Sequence, residues 1–187
     1  MKPAWLLLLG SILGTALSCG GGADPTQPAR YASQLVYTEP STSGWRFTKV
    51  GGSGSTADPL VLELRGTAGE RVKGVAFFLD LGATSKASWA PLGTNTHVAP
   101  ASAMTLGADP RLLAEKLSGN ELQVGIAQKT GDADPSQGIV RVALALKDGQ
   151  TAGVIGVTQD TQKAAVLQAD GTLVTPVTIL LGTLEAQ

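Results

Sequence analysis

Val72-Lys73-Gly74-Val75-Ala76-Phe77-Phe78-Leu79-Asp80-Leu81 is the stretch whose reading decides the fold. Val75, Phe77, Leu79 and Leu81 alternate with Ala76, Phe78 and Asp80. Successive side chains of a β-strand point to opposite faces, so this period of two sends Phe77 and Leu79 toward a core. The pattern recurs along the chain. Leu60, Leu62 and Leu64 share one face while Glu63 and Arg65 take the other. Leu122, Val124 and Ile126 alternate with Gln123 and Gly125, and Val140, Val142, Leu144 and Leu146 with Arg141, Ala143 and Ala145. Val177, Ile179 and Leu181 read as the last strand, ahead of Glu185.

Turn signals separate these runs: Gly51-Gly52-Ser53-Gly54, Thr67-Ala68-Gly69, Thr130-Gly131-Asp132, Lys147-Asp148-Gly149 and Ala169-Asp170-Gly171. Several short alternating strands with such punctuation predict an all-β, antiparallel β-sandwich. Composition agrees. Charged residues are 16%, below the usual quarter, aromatics are 4%, and there are 24 glycines. One short helix is expected between strands. Asp109 would cap it, Pro110 would take its first position, Arg111 to Lys116 would form it, and Gly119 would stop it.

The N-terminus reads differently. Lys2 gives a positive start, and Trp5 to Leu17 form an apolar run. About 13 residues is too short for a membrane span, which needs about 20, and suits a secretory leader. The run ends in Ala16-Leu17-Ser18-Cys19, which resembles the lipobox of bacterial lipoproteins, with Ala16 and Leu17 in the reverse of the usual order. The chain has one cysteine, so no internal disulfide can form. The resemblance implies cleavage before Cys19, a diacylglycerol on its thiol and a further acyl chain on the new amine. Several chains hold a protein firmly, whereas one is marginal. Gly20-Gly21-Gly22-Ala23-Asp24-Pro25-Thr26-Gln27-Pro28 has no periodicity and reads as a tether. The expected organisation is a signal peptide over 1–18, a lipidated tether over 19–33 and a β-sandwich over 34–187. Gly20 rather than aspartate after the cysteine favours sorting to the outer membrane, on its periplasmic or surface side.

The order of strands from Leu60 to Glu185 resembles the cohesin domain and the related cellulose-binding sandwiches. The stretches that carry it are Leu60 to Leu64, Val72 to Leu81, Gly119 to Ala127, Gly138 to Leu144, and Ala165 to Gly171 with the apolar run after it. The resemblance is topological. It implies a nine-stranded jelly-roll sandwich and does not carry dockerin binding with it, because fold alone does not give function.

Chemistry is sparse. His97 is the one histidine and stands in polar Thr94-Asn95-Thr96-His97, with no Gly-x-Ser-x-Gly elbow in the chain. It is therefore expected to be a solvated loop residue and not a catalytic base. One histidine and one lipid-bound cysteine do not make a zinc site. Asp132 and Asp134 could offer oxygens to calcium, but the spacing lacks further ligands, so a solvated loop is the plainer reading. Trp45 and Phe47 share a strand face and read as core. Trp89, between Ser88 and Ala90-Pro91, is the candidate ligand contact, against the alternative of a core or loop anchor. The net charge is −1, so no nucleic-acid partner is expected. No cofactor and no catalytic residue is expected. The chain reads as a membrane-anchored envelope lipoprotein with a non-catalytic module for protein binding or assembly. The alternative is a carbohydrate-binding module of the same fold. Exposed coplanar aromatics would favour the carbohydrate reading, and an apolar patch without aromatics would favour a protein partner.

Overall fold

The computed structural model describes residues 30–104 and 111–187. The signal peptide, Cys19 and the tether up to residue 29 lie outside the described residues, as do Asp109 and Pro110. The strands, in chain order, are β1 (Leu35–Thr38), β2 (Arg46–Gly51), β3 (Leu60–Arg65), β4 (Val72–Asp80), β5 (Ala87–Trp89), β6 (Val98–Pro100), β7 (Arg111–Ser118), β8 (Glu121–Gln128), β9 (Val140–Leu146), β10 (Gly153–Ile155), β11 (Thr158–Gln159), β12 (Ala165–Gln168), β13 (Leu173–Val174) and β14 (Thr183–Ala186). These exceed the nine implied by resemblance because several are pieces of two or three residues. β5 and β6, for example, both pair with β9, one after the other along its length.

The front sheet has the order β2-β3-β9-β5, with β6 also beside β9. The back sheet has the order β13-β12-β4-β8-β7, with β11 also beside β4. A small third sheet, β1-β14-β10, joins the first and last described strands. Pairing to the body begins at Tyr31, which bridges to Thr151, just ahead of the expected boundary at 34.

The alternation read from the sequence lines the space between the sheets. Leu60, Leu64, Phe77, Leu122, Ile126 and Val140 are each at most 1% exposed. Phe47 of the front sheet meets Phe77 of the back sheet edge-on, with ring centroids 5.7 Å apart and planes at 79°. Edge-to-face geometry suits the ring quadrupoles and adds about 0.5–1.5 kcal/mol beyond area burial.

Two expected elements are corrected. Residues 111–118 form strand β7 and not a helix. Every residue from Arg111 to Ser118 pairs with β8, ending Leu117↔Leu122 and Ser118↔Glu121. Gly119-Asn120 is thus a two-residue hairpin loop with Gly119 at φ 62°, a conformation that glycine takes without steric cost. Pairing along a whole strand outweighs the modest helix preference of Leu-Leu-Ala-Glu-Lys. Second, Val177 to Leu181 is extended but joins no ladder; the closing strand is β14. Leu180 makes one isolated bridge to the start of β2, its N–H donating to the Trp45 carbonyl at 2.7 Å and its carbonyl accepting from the Phe47 N–H at 3.3 Å, and a side chain holds the residues before it. Gln159 Nε2 donates to the Val177 carbonyl at 2.9 Å, and the Ile179 N–H donates to Gln159 Oε1 at 2.8 Å. Val177 and Ile179 are nonetheless buried, as their alternation requires.

Candidate docking surface

The outer face of the back sheet carries a row of small residues across four strands. Ala165 lies opposite Ala76, Ala76 opposite Gly125, and Gly125 opposite Ala114. One step along the strands, Leu167, Gly74 and Ala127 form a second row. On the other side stand the larger Phe78, Gln123 and Lys116, also mutually opposite. Directly opposed residues share a face, so the registers carve a trough that runs across the strands. It measures about 210 Å³, with Gly74, Ala76, Gly125 and Ala127 on its floor and Leu167 and Leu173 at one end. Four strands at about 4.8 Å spacing make it about 14 Å long, the length of nine or ten helical residues.

Its two strand glycines differ. A Cβ on Gly74 would lie 2.6 Å from the Ile126 carbonyl oxygen and 2.9 Å from Ala127 Cβ, so Gly74 is demanded by strand packing. A Cβ on Gly125 would meet nothing within 4 Å, and its φ is not positive. Leu173 at the rim is 61% exposed. Phe78 is roofed by Lys163, whose Nζ is 5.1 Å from the ring centroid and 3.0 Å from Asp160 Oδ2. The hydrogen bond between that pair raises the Lys163 pKa and lowers that of Asp160.

The residues singled out from sequence lie elsewhere. Trp89 is 7% exposed and donates from Nε1 to the Asn120 carbonyl at 2.7 Å, which makes it an anchor between the sheets. Trp45 packs against the core, and Tyr37 donates to the Phe47 carbonyl while accepting from the Gly182 N–H. Tyr31 is 67% exposed. His97 is not a freely solvated loop residue: it is half-buried, its Nδ1 is 3.0 Å from Glu115 Oε1, and its N–H donates to the same carboxylate. Asp132 accepts from Arg71 Nε at 2.7 Å. Asp134 accepts from the Ser136 N–H at 2.9 Å and caps the turn Pro135–Gln137; hydrogen bonding to Ser136 holds its carboxyl below the usual range. These two aspartates therefore already have protein partners, and no group of three metal-ligating side chains occurs among the described residues. Between the sheets a void of about 20 Å³, lined by Tyr37, Phe47 and Trp89 among others, is about large enough for one water.

Sequence reasoning missed the surface trough because it depends on register. Ala76, Ala114, Gly125 and Ala165 are unremarkable in sequence and become a row only when four strands align. It also missed Glu63, an outward residue by alternation that is 1% exposed.

Two packed antiparallel sheets with this strand order define a cohesin-like β-sandwich. Solved structures of the same kind include CaCohA2 from Clostridium acetobutylicum, at 9% identity and TM-score 0.53, covering 75% of this chain and 88% of that one. A non-cellulosomal cohesin from the hyperthermophilic archaeon Archaeoglobus fulgidus matches at 15% identity and TM-score 0.44, covering 81% of this chain and 89% of that one. The Coh-OlpC-Doc435 structure, a type I cohesin–dockerin complex from Clostridium thermocellum, matches at 13% identity and TM-score 0.48, covering 84% and 95%. At 9% identity the likeness to CaCohA2 is one of fold alone. No protein-family model and no curated protein matches the chain.

Proposed function

We propose that this protein is a non-catalytic, envelope-tethered module that binds a protein partner through the outer face of its back sheet. The observation that carries the reading is Gly125. A glycine inside a strand costs about 0.5–1 kcal/mol relative to alanine, and this one answers no positive φ, no bulge and no close contact of the fold. Strand glycines without such a reason mark places where another backbone approaches. The trough is apolar and free of stacked aromatics, which suits a polypeptide better than a sugar ring. Its length and its direction across the strands fit an amphipathic helix that presents small residues to the floor.

The anchor is the second part of the proposal. Cys19 becomes the acylated N-terminus, the stretch from it to the first paired residue, Tyr31, forms the tether, and the sandwich is held at the outer membrane. The lipobox resemblance and the Gly-Pro stretch after Cys19 support it. A photo-crosslinking residue at position 125, in cells, tests the docking face. Crosslinks to a polypeptide from position 125 but not from exposed Ala68 are expected. Crosslinks to polysaccharide alone, or equal yields from both positions, would overturn the reading.

A further inference from the structure

The opposite face of the sandwich carries Glu63, the one charged side chain that is buried among the described residues, and the arrangement around it is unlike a surface salt bridge. Glu63 is 1% exposed. Arg65 contacts Oε1 through Nε at 2.9 Å and Nη2 at 2.7 Å, and Arg141 contacts Oε2 through Nε at 2.9 Å. The two arginine side chains are 38% and 41% exposed. Gly138, at φ 89°, closes over the carboxylate so tightly that a Cβ there would collide with it. Both carboxylate oxygens are thereby committed to holding two guanidinium planes.

The cations do not exhaust their donors on Glu63. A guanidinium has five N–H groups, and among the described residues the terminal nitrogens of Arg141 have no hydrogen-bond partner. Arg46 lies directly opposite Arg65 in the β2–β3 register, and among the described residues its guanidinium hydrogen-bonds only to the Gly44 carbonyl, at 3.3 Å. Like charges placed opposite each other on a sheet are destabilising. The outward positions of β2, β3 and β9 hold no acidic residue besides Glu63, so this face carries a net charge of +2 on a chain of net charge −1. A buried ion pair is a weak stabiliser compared with apolar residues of similar size. The cluster does, however, pre-position planar forks that match carboxylate geometry.

We propose that the Arg46–Arg65–Arg141 face is a second binding site, which takes the carboxylate side chains of an acidic peptide segment and is ordered from beneath by Glu63. It is independent of the trough on the back sheet.

The test is fluorescence anisotropy of a fluorescein-labelled hexaglutamate with the full chain in detergent. Wild type binds at about 20 mM salt and loses the peptide at about 0.5 M, where charges are screened within a few ångströms. Arg46→Glu, outside the Glu63 clamp, weakens binding about fivefold or more with a melting temperature no lower than wild type, since it replaces a like-charge pair by an opposite-charge one. Glu63→Gln is the sharper probe. It raises the positive charge of the face, so a merely electrostatic patch would bind tighter, whereas a site that needs positioned forks binds more weakly. Tighter binding by Glu63→Gln, indifference to Arg46→Glu in a folded variant, or binding of dextran sulfate without hexaglutamate would each overturn the proposal.

Discussion

Phe77 and Phe78 are neighbours in sequence, and the register of β4 gives them opposite fates. Phe77 is 0% exposed and packs edge-on against Phe47, while Phe78 faces outward beneath Lys163. Replacing Phe77 by alanine removes a fully buried ring and leaves a cavity, a change that costs about 3–5 kcal/mol. At about 2–4 °C per kcal/mol for a chain of this size, the melting temperature should fall by about 6–20 °C. Phe78→Ala loses a half-exposed ring and a cation–π contact of about 0.5–1 kcal/mol, so it should move the melt by about 5 °C at most. Circular dichroism melts of the two variants beside wild type make the measurement. A one-residue slip of β4 would exchange the two faces. Equal shifts, or a larger shift for Phe78→Ala, would refute both the register and the sandwich built on it.

Other outcomes are equally direct. Gly138→Ala drives a methyl into the Glu63 carboxylate and should cost about 1–3 kcal/mol in a denaturant titration. Gly69→Ala, also at positive φ but in open space, should cost less, and equal losses would mean that the clamp is slack. Asp160 is held below its ordinary pKa chiefly by Lys163, and Asp170 by the Thr172 N–H. Their stabilisation is therefore present above the unfolded value of about 3.9 and lost as pH falls through the folded values. The denaturation midpoint of Asp160→Asn/Asp170→Asn should decline less steeply than wild type between about pH 4 and pH 2, and parallel curves would contradict the sign. Wild type should partition into the detergent phase and carry acyl mass on Cys19, while Cys19→Ala should carry no acyl mass and either be released or stay attached through its uncleaved leader, as intact mass and phase partitioning of both forms will show. A wild-type mass matching an unmodified chain that starts elsewhere would exclude the anchor.

Alternation was enough to place the inner faces of β3, β4, β8 and β9, because burial on one side of a strand imposes a period of two that local sequence records. Glycine-containing turns were legible for a similar reason, since their conformations constrain the residues within them. The lipobox reading rests on a short contiguous motif alone, and Cys19 lies outside the described residues. Strand β7 was not legible as a strand. Its residues favour a helix weakly, and only pairing with β8 through the Gly119-Asn120 turn decides the matter. Trp89 could be an edge platform or an anchor until the sheets close over it. Residues 177–181 look like a ladder strand, yet their backbone is held by the Gln159 side chain at Val177 and Ile179 and by a single bridge from Leu180 to the start of β2, partners near in space but far in sequence. The small-residue trough and the Glu63 clamp are the furthest from sequence. The trough brings together residues from four strands and the clamp from two, β3 and β9, with Gly138 closing over it; their neighbourhood is set by register within a sheet, a long-range quantity that no local period encodes.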